Sequence, residues 1–151
     1  VGESVIERVR ADRLQARRDR DAVRVGALGG LLAELEDAAK ASPARVLDAQ
    51  EEIAVLRREH KRRAEAAASF REGGREEDAR REEDEGRIIE AYLPAALGED
   101  ELLAIVDAAI AATGATSPRE LGAVMKIVVG QVAGRADGKT VSTLVRGRLG
   151  S

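Results

Sequence analysis

The residues best suited to chemistry in this 151-residue chain lie near its end, in Gly134-Arg135-Ala136-Asp137-Gly138-Lys139, with Lys126 upstream and Arg146 downstream. Glycines at 134 and 138 let a backbone approach a ligand closely. A helix beginning after them would offer free amide donors, and Arg135 and Lys139 add positive charge. That arrangement suits a phosphate. The same residues also read as a tight helix-to-helix turn in which Asp137 caps the next helix, and one loop can serve both purposes. Lys126 follows Gly122 by one helical turn and shares its face. Gly122 would admit either a ligand's backbone or a neighbouring helix, and close helix packing is the expectation for it.

Elsewhere the chemistry thins out. Cysteine is absent, which excludes disulfides, thiolate metal sites and a cysteine nucleophile, and fits a reducing compartment. His60 is the only histidine and sits in sequence among Arg57, Arg58, Lys61, Arg62 and Arg63, so a solvated imidazole is expected rather than a general base. Glu82-Glu83-Asp84-Glu85 has oxygens enough for a magnesium ion, but successive carboxylates on a helix point in different directions. No catalytic residue, metal or cofactor is therefore expected. Arg58, Arg62 and Lys61 run along one side of a helix, as a phosphate track would, with ordinary solvated charge as the competing explanation.

The net charge of -3 is unevenly laid out. After residue 120, Lys126, Arg135, Lys139, Arg146 and Arg148 are opposed by Asp137 alone, whereas acidic residues gather between Glu76 and Glu90. A polyanion would meet particular patches and not the whole surface. Seven arginines lie between Arg8 and Arg24, but Glu7, Asp12, Asp19 and Asp21 are placed to pair with them. Phe70 and Tyr92 are the only aromatics, too few for a base-stacking platform, so any RNA would be held by its shape and backbone. The start of the chain has no apolar signal region and no stretch approaches the roughly 20 apolar residues of a membrane span, which predicts a cytoplasmic protein. Val1 in the place of Met reads as an alternative start codon or a trimmed start.

The elements that must position these residues are helical throughout: Ala, Glu, Arg and Leu dominate at helical spacing and no alternation of period two persists. The fold class is all-α. A first helix spans about Ser4 to Arg20. A second, about Ala22 to Ala41, carries the stripe Val25, Leu28, Leu31, Leu32 and Leu35, with Gly26, Gly29 and Gly30 taken as sites of close backbone packing. Asp48 and Glu51 form a capping box that opens a long helix, with Ile53, Leu56, Ala64, Ala67 and Phe70 as its weak apolar face and Gly73-Gly74 as its stop. A charged helix from about Arg75 to Tyr92 keeps its apolar residues for its end.

Pro94 and the change of composition at Gly98-Glu99 mark a boundary between an amino-terminal helical domain, residues 1–93, and a three-helix module, residues 94–151. In the module, Leu102, Leu103, Val106, Ala109 and Ile110 form one stripe closed by Gly114. Ser117-Pro118-Arg119-Glu120 starts a second helix carrying Leu121, Val124, Met125, Val128, Val129 and Val132. Val141, Leu144, Val145 and Leu149 form the third stripe.

Tyr92-Leu93-Pro94, then Leu121-Gly122-Ala123-Val124-Met125-Lys126, then Gly134 to Lys139 occur in an order that resembles the GatB/YqeY helical proteins. The Arg-rich segment ending in Phe70, Gly74-Arg75, and Glu82 and Glu85 before Ile88-Ile89 extend the resemblance over most of the chain. The resemblance implies a module shared with the tail of the B subunit of the tRNA-dependent amidotransferase, which helps hold tRNA while other domains do the chemistry. It thus implies non-catalytic binding of tRNA or a tRNA-bearing complex through Lys126, Arg135, Lys139 and Arg146, with Gly122, Gly134 and Gly138 for backbone approach or turns. The amino-terminal helices would then contact a protein partner or extend the RNA surface. Gly29 departs from the family, which tends to carry a basic residue there. Two alternatives follow: an accessory part of a glutamine-dependent carbon-nitrogen ligase, or a protein-interaction module without RNA. Glutaminase and amidase machinery is missing from the chain, so independent turnover is not expected.

Overall fold

The computed structural model describes residues 3–150, and the reading attached to Val1 lies outside them. Among the described residues there are seven α-helices and one 3₁₀ turn, with no strand. None of these helices is long and apolar enough to cross a membrane. Contacts gather the chain into two compact units, Val1–Leu93 and Pro94–Ser151, each with its own buried apolar cluster.

The first unit contains α1 (Val5–Arg18), α2 (Ala22–Ala41), α3 (Ala49–Glu72) and α4 (Glu76–Glu90). Local chemistry fixes their starts. Ser4 and Glu7 form a reciprocal capping box on α1, and Asp48 and Glu51 form another on α3, with the Asp48 carboxylate accepting the Glu51 amide at 2.8 Å. Gly74, at φ 74°, takes the left-handed conformation that lets α3 stop and α4 fold back along it. Leu28, Leu31 and Leu35 of α2 meet Val9 of α1, Leu56 of α3 and Ile89 of α4 in one core.

Two expectations fail in this unit. On α3, Ala64 is exposed, while Glu52 and Glu59 are buried on the core-facing side with Val55, Leu56 and Ala67. Each glutamate has a partner: Glu52 accepts the Ile6 amide at 3.0 Å, and Glu59 accepts from Arg62 at 3.0 Å. The glycines of α2 do not serve helix packing. A Cβ at Gly26 or Gly30 would meet nothing, and one at Gly29 would lie 3.2 Å from the Arg13 guanidinium, so only Gly29 admits a close neighbour, a side chain.

The second unit contains α5 (Glu99–Thr113), the 3₁₀ turn Pro118–Glu120, α6 (Leu121–Val132) and α7 (Gly138–Leu149). Its core is aliphatic: Leu102, Val106 and Ala109 of α5, Val124, Val128 and Val132 of α6, and Val141, Val145 and Leu149 of α7. Each trio recurs at three or four residues, the spacing of a single buried helix stripe. Glu120 accepts the Ser117 amide at 3.1 Å, fixing the turn that feeds α6. α6 packs against both α5 and α7.

Candidate functional site

The connection from α6 to α7 is built by two left-handed residues, Ala133 at φ 48° and Gly134 at φ 78°. Glycine adopts this backbone without the steric cost that a Cβ brings, so Gly134 is a turn residue. Arg135 follows and ties the start of its unit to the turn: its Nε donates to the Ala95 carbonyl at 3.0 Å, and its own carbonyl accepts the Leu97 amide at 2.9 Å. Asp137 caps α7, its carboxylate accepting the Thr140 amide at 3.2 Å and the Thr140 hydroxyl at 3.3 Å. An anion seated at that helix start would meet this carboxylate. The cap takes the Thr140 amide at that helix start, and the charges of Arg135 and Lys139 stand on either side of it in sequence.

Arg148 pairs with Asp107 of α5 at 3.2 Å, but among the described residues no carboxylate pairs with Lys126, Arg135, Lys139 or Arg146. Lys139 and Arg146 are exposed and seven residues apart on α7, together on one flank beside its buried stripe. Lys126 is exposed on the outward face of α6. The short connection makes α6 and α7 antiparallel neighbours. At 1.5 Å per residue, Lys126 lies about 9 Å from the loop end and Arg146 about 12 Å from it, so the two occupy similar levels along the pair. Lys139 and Arg135 stand at the loop end. The four cations thus fall into two tiers on three successive segments, with no shared partner joining them.

Gly122 corrects the sequence reading. A Cβ there would meet nothing within 4 Å, so no helix packs against it. Gly130 is equally open. Steps of four residues put Gly122, Lys126 and Gly130 on one outward stripe of α6, beside the half-exposed Val129. Gly130 escaped notice in the sequence although its spacing from Lys126 mirrors that of Gly122. Gly138 also has open space around it and makes no close approach.

The basic run of α3 looks different. Arg62 lies 3.9 Å from Glu34 as well as bonding Glu59, Lys61 is 3.9 Å from Glu65, and Arg63 reaches Glu82 at 3.1 Å and Glu85 at 3.3 Å. Burial alone would lower the Arg63 pKa. Its hydrogen bond to Glu82 and the charges of Glu82, Glu85 and Glu59 override that and hold it above the ordinary guanidinium value. The phosphate track is neutralised by the protein's own acids. The acidic run is consumed by the same pairing: Glu82 and Glu85 serve Arg63, Glu83 serves Arg71 at 2.6 Å, and Asp84 bonds Arg87. His60 is not surrounded by like charge either. Its Nε2 faces Glu90 of α4 at 3.7 Å.

Tyr92 is structural. It is buried, its hydroxyl donates to Asp12 of α1, and the Arg8 guanidinium lies 5.1 Å from its ring centre. Burial, then the Asp12 hydrogen bond and charge, push its phenol pKa well above the usual value. A comparison with known families matches residues 6–149 to the family described as Yqey-like protein. No curated protein matches the chain.

Proposed function

The chain belongs to the Yqey-like family, and from that premise we propose that its carboxy-terminal unit binds tRNA, or an assembly carrying tRNA, without catalysing a reaction itself. The RNA in this reading comes from the resemblance of that unit to the amidotransferase tail. The observation that carries it is the stripe Gly122-Lys126-Gly130. A glycine inside a helix costs about 1 kcal/mol relative to alanine. At Gly122 and Gly130 no packing offsets that cost, because the space beside both is open. What the two glycines do achieve is a low surface on either side of an exposed ammonium, over which a sugar-phosphate backbone can lie close to the helix. Arg146 at the same level, with Lys139 and Arg135 at the loop end, extends the positive charge along it.

Arg135 has a double role in this reading. Its Nε holds Ala95, and the rest of its fork stays available to a phosphate. The contacts are to backbone phosphates and not to bases, so the affinity is electrostatic and falls with salt through counterion release. In filter binding with unmodified tRNA, Arg135→Ala with Lys139→Ala should weaken binding at low salt and reduce the slope of log K against log salt by about two phosphate contacts. Circular dichroism should show the fold retained. Unchanged tRNA affinity in that double variant and in Lys126→Ala with Arg146→Ala would remove the site.

A further inference from the structure

The first helix carries a second, separate opportunity. Its arginines were expected to pair with Glu7, Asp12, Asp19 and Asp21, and none of those acids does so. Glu7 reaches back to the Ser4 amide, Asp12 takes the Tyr92 hydroxyl, Asp19 takes the Gln15 amide group, and Asp21 caps α2 through the Arg24 amide. Among the described residues, Arg13 and Arg17 have no carboxylate partner. Both belong to one flank of α1, where the order around the helix is Arg13, Arg17, Arg10 and then Leu14. This flank and Leu32 of α2 enclose a groove of about 260 Å³.

The groove combines two properties seldom left open on a surface. Its apolar part is Leu14, 53% exposed, beside the half-buried Leu32. Its rim is three guanidiniums, of which only Arg10 is neutralised, by Glu36 at 3.1 Å. The Nε of Arg13 is buried against Gly29 and has no acceptor, a kind of orphan donor that native structures seldom leave unexplained. Gly29 is what makes room for that guanidinium to lie flat on α2.

We propose that this groove docks an acidic amphipathic helix of a partner protein, whose apolar anchor sits on Leu14 and Leu32 while its carboxylates engage Arg13 and Arg17. Charge complementarity selects an acidic partner, and the leucine floor selects a protein over a nucleic acid, since a phosphate backbone gains nothing from covering leucine. Glu36 at the Arg10 end of the groove would also repel a continuous phosphate track, whereas a peptide can place an uncharged residue there. Arg10 to Arg17 spans about two helical turns, matching the i, i+3, i+4, i+7 reading of a short helix laid alongside.

The test uses the full-length protein and fluorescence anisotropy with two labelled peptides of identical composition. In one, leucines fall at helical spacing on a glutamate-rich background; in the other, they are dispersed around the helix. The patterned peptide should bind at least about tenfold more tightly than the dispersed one. Arg17→Gln, at an exposed position, should weaken the patterned peptide about tenfold, and Arg13→Gln with Arg17→Gln further still. Leu14→Ser should weaken it too, while leaving tRNA affinity unchanged. Equal binding of the two peptides, or indifference of the patterned peptide to both Arg17→Gln and Leu14→Ser, would overturn the proposal. Loss of tRNA affinity in the arginine variants with peptide binding intact would assign the groove to nucleic acid instead.

Discussion

At the scale of single residues, the clearest lesson is Tyr92, which the sequence marked through Tyr92-Leu93-Pro94 and the structure explains as an anchor. Its hydroxyl joins the segment after α4 to Asp12 of α1 across 80 positions of sequence, a pairing that no local pattern announces. Tyr92→Phe removes the donor and leaves the partly buried Asp12 without it. A hydrogen bond to a charged group contributes about 1.5–3 kcal/mol, so the urea midpoint should fall by that stability. The pH dependence has a defined sign. Because the folded state holds the phenol proton more tightly than the unfolded chain, this contribution is complete below the ordinary phenol value near 10 and is lost as pH rises beyond it. As pH rises above about 10 the wild-type protein should lose stability faster than Tyr92→Phe, and parallel curves would show that the bond to Asp12 contributes nothing. The acids of α1 were misread for the same reason: pairing rules along one helix see neighbours at three and four residues, whereas Asp12 answers to a residue in another segment and Glu7, Asp19 and Asp21 to local backbone and amide groups.

At the scale of elements, helix boundaries were legible because caps are local. Asp48 with Glu51, Gly73-Gly74 and Asp137 act within a turn of where they stand, and α2 runs from Ala22 to Ala41 as its pattern predicts. What lies on each face was less legible. Glu52 and Glu59 turn inward on α3 because a backbone amide of α1 and arginines of their own helix await them, and periodicity counts every glutamate as outward. Gly122 was assigned to packing because sequence cannot show that nothing lies opposite it. That vacancy yields a prediction in which stability and binding part company. Gly122→Ala adds a methyl into open space at a helical position, so it should raise stability by about 1 kcal/mol in urea denaturation. In filter binding the same methyl should weaken tRNA, because it raises the floor beside Lys126. A variant more stable and equally tight would leave Gly122 without the role proposed for it.

At the scale of the whole molecule, the two compact units differ in how they treat charge. The first, apart from its opening helix, spends arginine and glutamate on each other: Arg63 with Glu82 and Glu85, Arg71 with Glu76 and Glu83, Arg75 with Asp78. In the second, among the described residues, no carboxylate pairs with Lys126, Arg135, Lys139 or Arg146, so that a molecule of net charge -3 would still present a polyanion with local positive charge. This contrast was half legible, since the excess of basic residues after position 120 is visible in the sequence but their freedom from partners is not. If binding belongs to the second unit, that unit should fold and bind by itself. Its core is a closed set of α5, α6 and α7 side chains, and Arg135 fastens its opening segment through Ala95 and Leu97. A domain of about 60 residues buries only ~60% of its unfolded surface, so marginal stability is expected, with a small urea m-value. A fragment of residues 94–151 should nevertheless show helical circular dichroism, a cooperative transition, and a tRNA salt slope equal to that of the intact chain. A fragment that folds but binds with a smaller slope would place the missing phosphate contacts in residues 1–93, and one with no cooperative transition would make the two units a single folding domain.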